Sequence, residues 1–202
     1  MSDSTPRRVL NVGGGTKAIP LPPHYAGWEH LLLDIDPRGA PDVVLDAREL
    51  ATLPPAQFDA VYCSHNLEHY HRHHAVKVLQ GFAHILKPEG FAEILVPDLA
   101  MLMRTVVERN LDVDDFLYQS PAGPILVRDV IYGYGVEIER SGQDFFAHRT
   151  GFSVKSLMGL MQAQGFPLVF AGTGDLQIRA LGFKRRPEPE IAALLNLPAL
   201  PK

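Results

Sequence analysis

The stretch Arg7-Arg8-Val9-Leu10-Asn11-Val12-Gly13-Gly14-Gly15-Thr16-Lys17 decides how this chain folds. A short apolar strand runs into three consecutive glycines. The missing Cβ lets the backbone turn sharply there and bring its N–H groups close to a ligand. Further on, Leu31-Leu32-Leu33 ends in Asp34-Ile35-Asp36-Pro37, a second apolar strand closed by a carboxylate. Strand, glycine turn and acid-ended strand are the parts of a nucleoside-binding crevice. Asp34 would accept hydrogen bonds from both ribose hydroxyls while the glycine turn meets the charged end of the ligand. The reading predicts an adenosine-containing cofactor.

Outward from this point, apolar runs at residues 43–45, 60–63 and 91–96 alternate with helical patterns, which favours an α/β sheet. Residues 74–87 place Val78, Leu79, Phe82, Ile85 and Leu86 on one helical face, stopped by Lys87-Pro88-Glu89-Gly90. A second helix follows Ser153 as N-cap and ends at Gly165, with Leu157, Leu160 and Met161 inward. Residues 168–170, a turn over Gly172-Thr173-Gly174-Asp175, and residues 176–183 read as an antiparallel hairpin. The early connections are short. Pro20, Pro22 and Pro23 argue against a long helix after the glycines, and residues 35–43 leave no room for one.

Residues 1–186 are expected to form one domain. Residues 99–150 form a helical insertion, with helices near 100–109 and 125–132, that either covers a pocket or completes the core. The proline-rich tail 187–202 carries Ile191, Leu194 and Leu195 at helical spacing. It packs back on the domain or meets a second copy of the chain in a homodimer.

Composition narrows the function. The chain has 202 residues, 46% apolar and 21% charged, with a net charge of −4, which disfavours nucleic acid or an anionic membrane as partner. No apolar run reaches the roughly eighteen residues of a membrane span, and the N-terminus lacks a secretory core, so a cytoplasmic location is expected. The single cysteine, Cys63, excludes an internal disulfide.

Taken in order, residues 8–184 resemble the class I S-adenosylmethionine-dependent methyltransferases, of the small type 11-like kind. Residues 9–15 look like the first motif of that family and Asp34-Ile35-Asp36-Pro37 like the end of its second strand. Val44-Leu45-Asp46-Ala47-Arg48 resembles its third motif, in which the carboxylate meets the adenine amino group and the next backbone N–H a ring nitrogen. Residues 58–69 are similar to its fourth strand and following turn, and Ile85-Leu86-Lys87-Pro88-Glu89-Gly90 to its helix stop before strand five. The resemblance implies a Rossmann-like, mostly parallel seven-stranded sheet with a C-terminal antiparallel hairpin, helices on both faces and trimmed early crossovers. It implies S-adenosylmethionine as cofactor, held by Asn11, Gly13, Gly14, Gly15, Thr16, Asp34, Ile35, Asp46, Ala47, Ser64 and His65. The chain departs from the family at Asn11, where an acid is usual, and at Lys17, where a third glycine is usual. Lys17 is left to pair with the cofactor carboxylate or to face solvent.

Methyl transfer from a sulfonium is a direct displacement, so a base is needed only when the acceptor carries a proton. Five of the nine histidines lie between residues 65 and 74. His69 and the distant His148 are the candidate acid–base residues, because imidazole titrates near neutrality; His71, His73 and His74 read as a solvated helix start. His65, Glu68, His69 and His148 also resemble, at three of four positions, a divalent-metal set of some quinone-biosynthesis and small-RNA methyltransferases. His65 replaces the first glutamate of that set, and no metal is assigned. The acceptor is expected to be a small molecule. Two alternatives stay open: a non-catalytic protein that keeps the fold, and an NAD-dependent oxidoreductase, for which Gly13, Gly15 and Ala18 supply the spacing.

Overall fold

The computed structural model describes residues 6–198. The run before the glycines is β1 (Arg8–Val12) and the acid-ended run is β2 (Glu29–Asp34); they pair in parallel, Leu10 opposite Leu31 and Val12 opposite Leu33. β3 (Val43–Val44) flanks β2, while β4 (Phe58–Ser64) lies on the other side of β1 and is followed by β5 (Leu86–Pro97). A small separate hairpin, β6 (Phe116–Ser120) and β7 (Gly123–Leu126), belongs to the insertion. β8 (Leu168–Gly174) and β9 (Gln177–Phe183) complete a seven-stranded sheet of order β3-β2-β1-β4-β5-β9-β8, with β9 antiparallel to β5 and β8. This is the mostly parallel, Rossmann-like sheet with a terminal antiparallel hairpin that the sequence predicts.

The helices are α1 (Arg72–Ile85), α2 (Leu99–Arg109), α3 (Val127–Tyr132), α4 (Gly135–Ser141), α5 (Val154–Ala163) and α6 (Pro189–Leu194). Side chains alternate along a strand, so the two faces of the sheet collect different residues. Val61 and Cys63 face α1 and α5, where Val78, Leu79, Phe82, Leu157 and Met161 are fully buried. Each such side chain contributes about 1.5–3 kcal/mol on burial. Ala60, Phe91, Leu181 and Phe183 face the other way, against Tyr25, Ile191 and Leu195. No regular helix joins β1 to β2. A 3-10 turn at Pro23–Tyr25 takes that place, and α6 covers the rest. Buried Glu93 ties this cover down by accepting from the Tyr25 hydroxyl at 2.8 Å and pairing with His24 at 2.8 Å and with Arg179. The tail through residue 198 therefore packs back on the sheet; its last four residues lie outside the described ones.

Three local expectations are corrected. The corner Lys87-Pro88-Glu89-Gly90 is not a free helix stop but a bulge within β5, since Phe58 pairs with Leu86 and Ala60 already with Phe91. The insertion is not purely helical: residues 125–126 close the β6–β7 hairpin before α3 begins, because Gly123 and Pro124 break any earlier helix. The hairpin turn between β8 and β9 sits at Asp175 and Leu176, both left-handed at φ +51° and +59°, whereas Gly172 and Gly174 stay in the strand. Two consecutive residues at positive φ are what a two-residue hairpin loop requires.

Candidate functional site: two pockets meeting at the end of the fourth strand

The glycine turn is shaped by what presses on it. Gly13 and Gly15 adopt φ +73° and +68°. A Cβ on Gly13 would lie 2.1 Å from the Asn66 amide nitrogen, and one on Gly14 2.2 Å from that of Asn11. Asp34 laces the turn to the end of β2: its Oδ2 accepts the Gly15 N–H at 2.9 Å and its Oδ1 the Asp36 N–H at 2.9 Å. Each carboxylate oxygen keeps a second lone pair, so Asp34 can still accept hydroxyl donors from the cleft it lines.

That cleft encloses about 230 Å³. Gly13, Gly15, Asp34, Ile35, Asp46 and His65 of the sequence-derived set line it. Asp46 caps the 3-10 turn Ala47–Thr52 and pairs with Arg48. Burial acts to raise its carboxyl, but the Arg48 guanidinium and N–H outweigh this and hold it below the usual range. The other predicted residues stand outside the lining. Asn11 is buried beneath Gly14, and Ala47 is buried in the core. Thr16 accepts the Ala18 N–H within its own turn. Ser64 falls one residue out of step with Cys63 and faces the Tyr62 side of the sheet, where the Tyr62 hydroxyl bonds to it. Lys17 is exposed, as one of its two expected roles has it, and pairs with Asp42 at 2.6 Å.

The cleft also contains residues to which the motifs assign no role: Arg48, Asn66, Tyr70, His74 and Arg149, with Phe145 and Phe146 also in its lining. Only the aromatic richness of residues 132–146 hinted at this cover. Two features of the cleft fit an amino-acid-bearing nucleoside. The Oδ1 atoms of Asn11 and Asn66 are buried beside the glycine turn and have no hydrogen-bond partner among the described residues. The Asn66 acceptor, in the cleft lining, is available to an ammonium group, and that of Asn11 lies behind it under Gly14, where the resembled family carries an acid. Arg149, which pairs with exposed Asp144 at 3.1 Å, also lines the cleft and is its candidate cation for a carboxylate.

At the end of β4 the chain turns through His65, itself left-handed at φ +49°, into the 3-10 turn Leu67–His69. The backbone N–H groups of Arg149 and Thr150 both donate to the Glu68 carbonyl, at 2.8 and 3.1 Å, which brings His148 beside this turn. Glu68 is 1% exposed, and neither carboxylate oxygen has a hydrogen-bond partner among the described residues. Burial acts to raise Glu68, yet His65 (3.4 Å), His69 and His148 (4.0 Å) hold it below the usual carboxylate range. Burial works against a charged His65 as well. Glu68 and Gln177, 3.1 Å away, reverse that and raise it.

The His148 imidazole is pushed down, first by burial. Its Nδ1 lies 3.0 Å from the Val130 carbonyl, which fixes the proton there and leaves a lone pair on Nε2. The ring nitrogens of His69 both face carbonyls, those of Ala147 and His65, at 3.2 Å each. A neutral ring can donate to only one of them. One ligand atom from each of Glu68, His69 and His148 falls within 4.8 Å of the others.

A second pocket of about 300 Å³ opens on the far side of His65. Its walls come from β6, β7, α3 and the β8–β9 turn, and His148 lies in them. The two candidate acid–base residues are therefore divided, His69 lining the glycine-turn cleft and His148 the neighbouring pocket. His71, His73 and His74 form a stacked group at the start of α1, of which only His74 reaches the cleft.

Comparison with known proteins agrees with this layout. Residues 1–169 match the family model described as a methyltransferase domain. No curated protein sequence matches the chain. Among solved structures, the PH0226 protein of Pyrococcus horikoshii superposes with a TM-score of 0.59 at 14% identity, covering 90% of this chain and 83% of that one. A SAM-dependent methyltransferase of Thermotoga maritima gives 0.54 at 17%, covering 88% and 82%. A Burkholderia thailandensis 1,6-didemethyltoxoflavin N1-methyltransferase, solved with its substrate and S-adenosylhomocysteine, gives 0.51 at 18%, covering 88% and 70%. The structural likenesses speak for the fold and the family model for the lineage: this chain belongs to the methyltransferase-domain family of class I, S-adenosylmethionine-dependent enzymes.

Proposed function

We propose that the chain methylates a small-molecule acceptor bound in the second pocket, with the cofactor in the glycine-lined cleft and His148 as the base. When bound, S-adenosylmethionine supplies a sulfonium methyl group for in-line displacement by the acceptor. The residues of this chain do the positioning. Asp34 accepts the ribose hydroxyls, Ile35 lies against the base, Asp46 meets the adenine amino group once it exchanges part of its bond to Arg48, and Asn66 takes the ammonium with Asn11 behind the glycine turn.

The observation that carries the base assignment is the His148 ring: its Nδ1 proton is committed to Val130, which leaves the lone pair on Nε2, and the residue lines the acceptor pocket. That nitrogen can take the acceptor proton, and buried Glu68 at 4.0 Å would stabilise the imidazolium that forms. Phe145 and Phe146 exclude water from the reacting groups. The test is calorimetry with S-adenosylmethionine on wild type and Asp34→Ala, followed by turnover of a small-acceptor panel by wild type and His148→Gln. Cofactor affinity lost in the first variant, and turnover but not cofactor affinity lost in the second, supports the reading. Intact turnover in His148→Gln removes the base. Cofactor binding with no acceptor turned over favours the non-catalytic alternative.

A second reading is favoured by one observation, the two unpartnered oxygens of Glu68 facing His148 Nε2 and His69. A divalent cation would satisfy all three, and the nitrogen-rich set suits zinc, iron or manganese better than magnesium. Metal content of untagged protein, together with the effect of Zn²⁺ or Mn²⁺ on Glu68→Gln melting, decides it. Stoichiometric metal in wild type, lost in the variant, supports the ion, and metal-free active enzyme refutes it. A cytoplasmic setting agrees with there being no helix, among the described residues, long and apolar enough to cross a membrane.

A further inference from the structure

The second pocket has an electrostatic character that the cofactor cleft lacks. The cofactor cleft is lined by Arg48 and Arg149, whereas no lysine or arginine lines the second pocket. Its charged groups are Asp129 and Asp175, and its histidines are His65 and His148, with the buried Glu68 side chain directly behind them both. Asp129 is fixed in place: its two oxygens accept the backbone N–H groups of Leu126 at 2.9 Å and Gly135 at 3.3 Å. Asp175 is held at the tip of the β8–β9 hairpin by a left-handed backbone and is exposed to the pocket mouth. Apart from Gln177, the remaining walls are apolar or aromatic, including Tyr118, Tyr134, Ile125 and Leu176.

From this lining, and resting on the reading of this pocket as the acceptor site, we propose that the acceptor is a cationic small molecule: a compact aromatic or aliphatic body bearing a protonated amine. Carboxylated and phosphorylated acceptors are excluded. An anion would enter a space whose lining holds two aspartates and no lysine or arginine to receive it, where like charges repel in a partly desolvated site. A cation meets the opposite situation. Its charged end can lie toward Asp175 and Asp129, and the tyrosine faces accept its body and add cation–π attraction. The charge of the acceptor is thus selected at the pocket mouth by Asp175, while Asp129 sets a fixed negative floor.

The test uses one phenol ring carrying three charges: tyramine, tyrosol and 4-hydroxyphenylacetate, titrated calorimetrically into protein loaded with S-adenosylhomocysteine. Tyramine should bind at least tenfold more tightly than the acid, with tyrosol between. Asp175→Asn should cut the tyramine preference over tyrosol severalfold and leave S-adenosylhomocysteine affinity unchanged. Asparagine tolerates the left-handed backbone, so this variant keeps the turn. Equal or tighter binding of the acid, no binding of any of the three, or an unchanged preference in Asp175→Asn overturns the proposal. Titration of S-adenosylhomocysteine is read first and separately. Its failure would sink the cofactor reading, and the charge ranking would then be read on the free protein.

Discussion

The two pockets that share His65 are built by different means. The cofactor cleft is made from the ends of β1, β2 and β4, whose relative positions are set by sheet register, and from short 3-10 turns tied by Asp34 and Asp46. The second pocket is made from an inserted hairpin, a six-residue helix and a strained two-residue turn. Rigid strand ends suit a ligand whose position must be reproduced, while inserted pieces can vary with the acceptor. If that division is real, substitutions should sort cleanly into those that move cofactor affinity and those that move acceptor turnover.

The largest effect on cofactor affinity is expected from Gly13→Ala. The new methyl group faces both a left-handed backbone and the Asn66 side chain at 2.1 Å. Cofactor affinity should fall at least 100-fold, about 2.7 kcal/mol, as measured by calorimetry, with binding in the second pocket retained. Loss of both would show the two pockets to be one coupled unit.

His148→Gln should act on the other side only, lowering turnover by about 10²–10⁴-fold without changing cofactor affinity. The wild-type pH profile carries the same information. Burial holds the folded His148 below its usual value near 6.5, so the ring is neutral and base-competent at pH 7. Turnover should decline as pH falls through that lowered value, and the decline should be missing from the residual activity of the variant. The linked stability has the same sign: a depressed imidazole costs nothing above its unfolded value and destabilises the fold as pH drops. A bound divalent ion would abolish this titration, so the profile also separates the two readings of the cluster.

Asp34→Asn comes next, at about tenfold in cofactor affinity, roughly 1.4 kcal/mol. The amide can keep one of the two backbone bonds, to Gly15 or Asp36, through its oxygen. Its nitrogen then turns a donor toward the other N–H. An unchanged affinity would show that Asp34 serves the loop alone.

What the sequence made legible follows the same division. Val9–Gly15 and the acid at Asp34 were readable because period-two apolar runs, glycines and a terminal carboxylate are local signals, and the sheet brings them together by register. Arg149, Phe146 and Asn66 were not, because each reaches the cleft through a tertiary contact: Arg149 by its N–H bond to Glu68, Asn66 by filling the space of a missing Cβ. Ser64 was misread as cleft-facing by a single residue of strand phase. Leu176 hid the true turn, since a leucine at positive φ contradicts its own propensity and Gly172 and Gly174 offered a better local site.

The smallest expected effect is the most diagnostic of how this cleft differs from its relatives. Asn11 holds a buried Oδ1 without a partner among the described residues, in the position where the resemblance places an acid. Asn11→Asp would put a carboxylate in the place of a side chain that is only 3% exposed. The free protein should therefore lose about 1–3 kcal/mol of stability, measured by urea denaturation. The cofactor ammonium would supply the missing charge, so affinity should rise a few-fold as the bound state recovers part of that loss. Stability and affinity moving in opposite directions would identify Asn11 as a residue of the cofactor's charged end. If both fell together, Asn11 would be only packing for Gly14, and the ammonium would belong to Asn66 and the backbone alone.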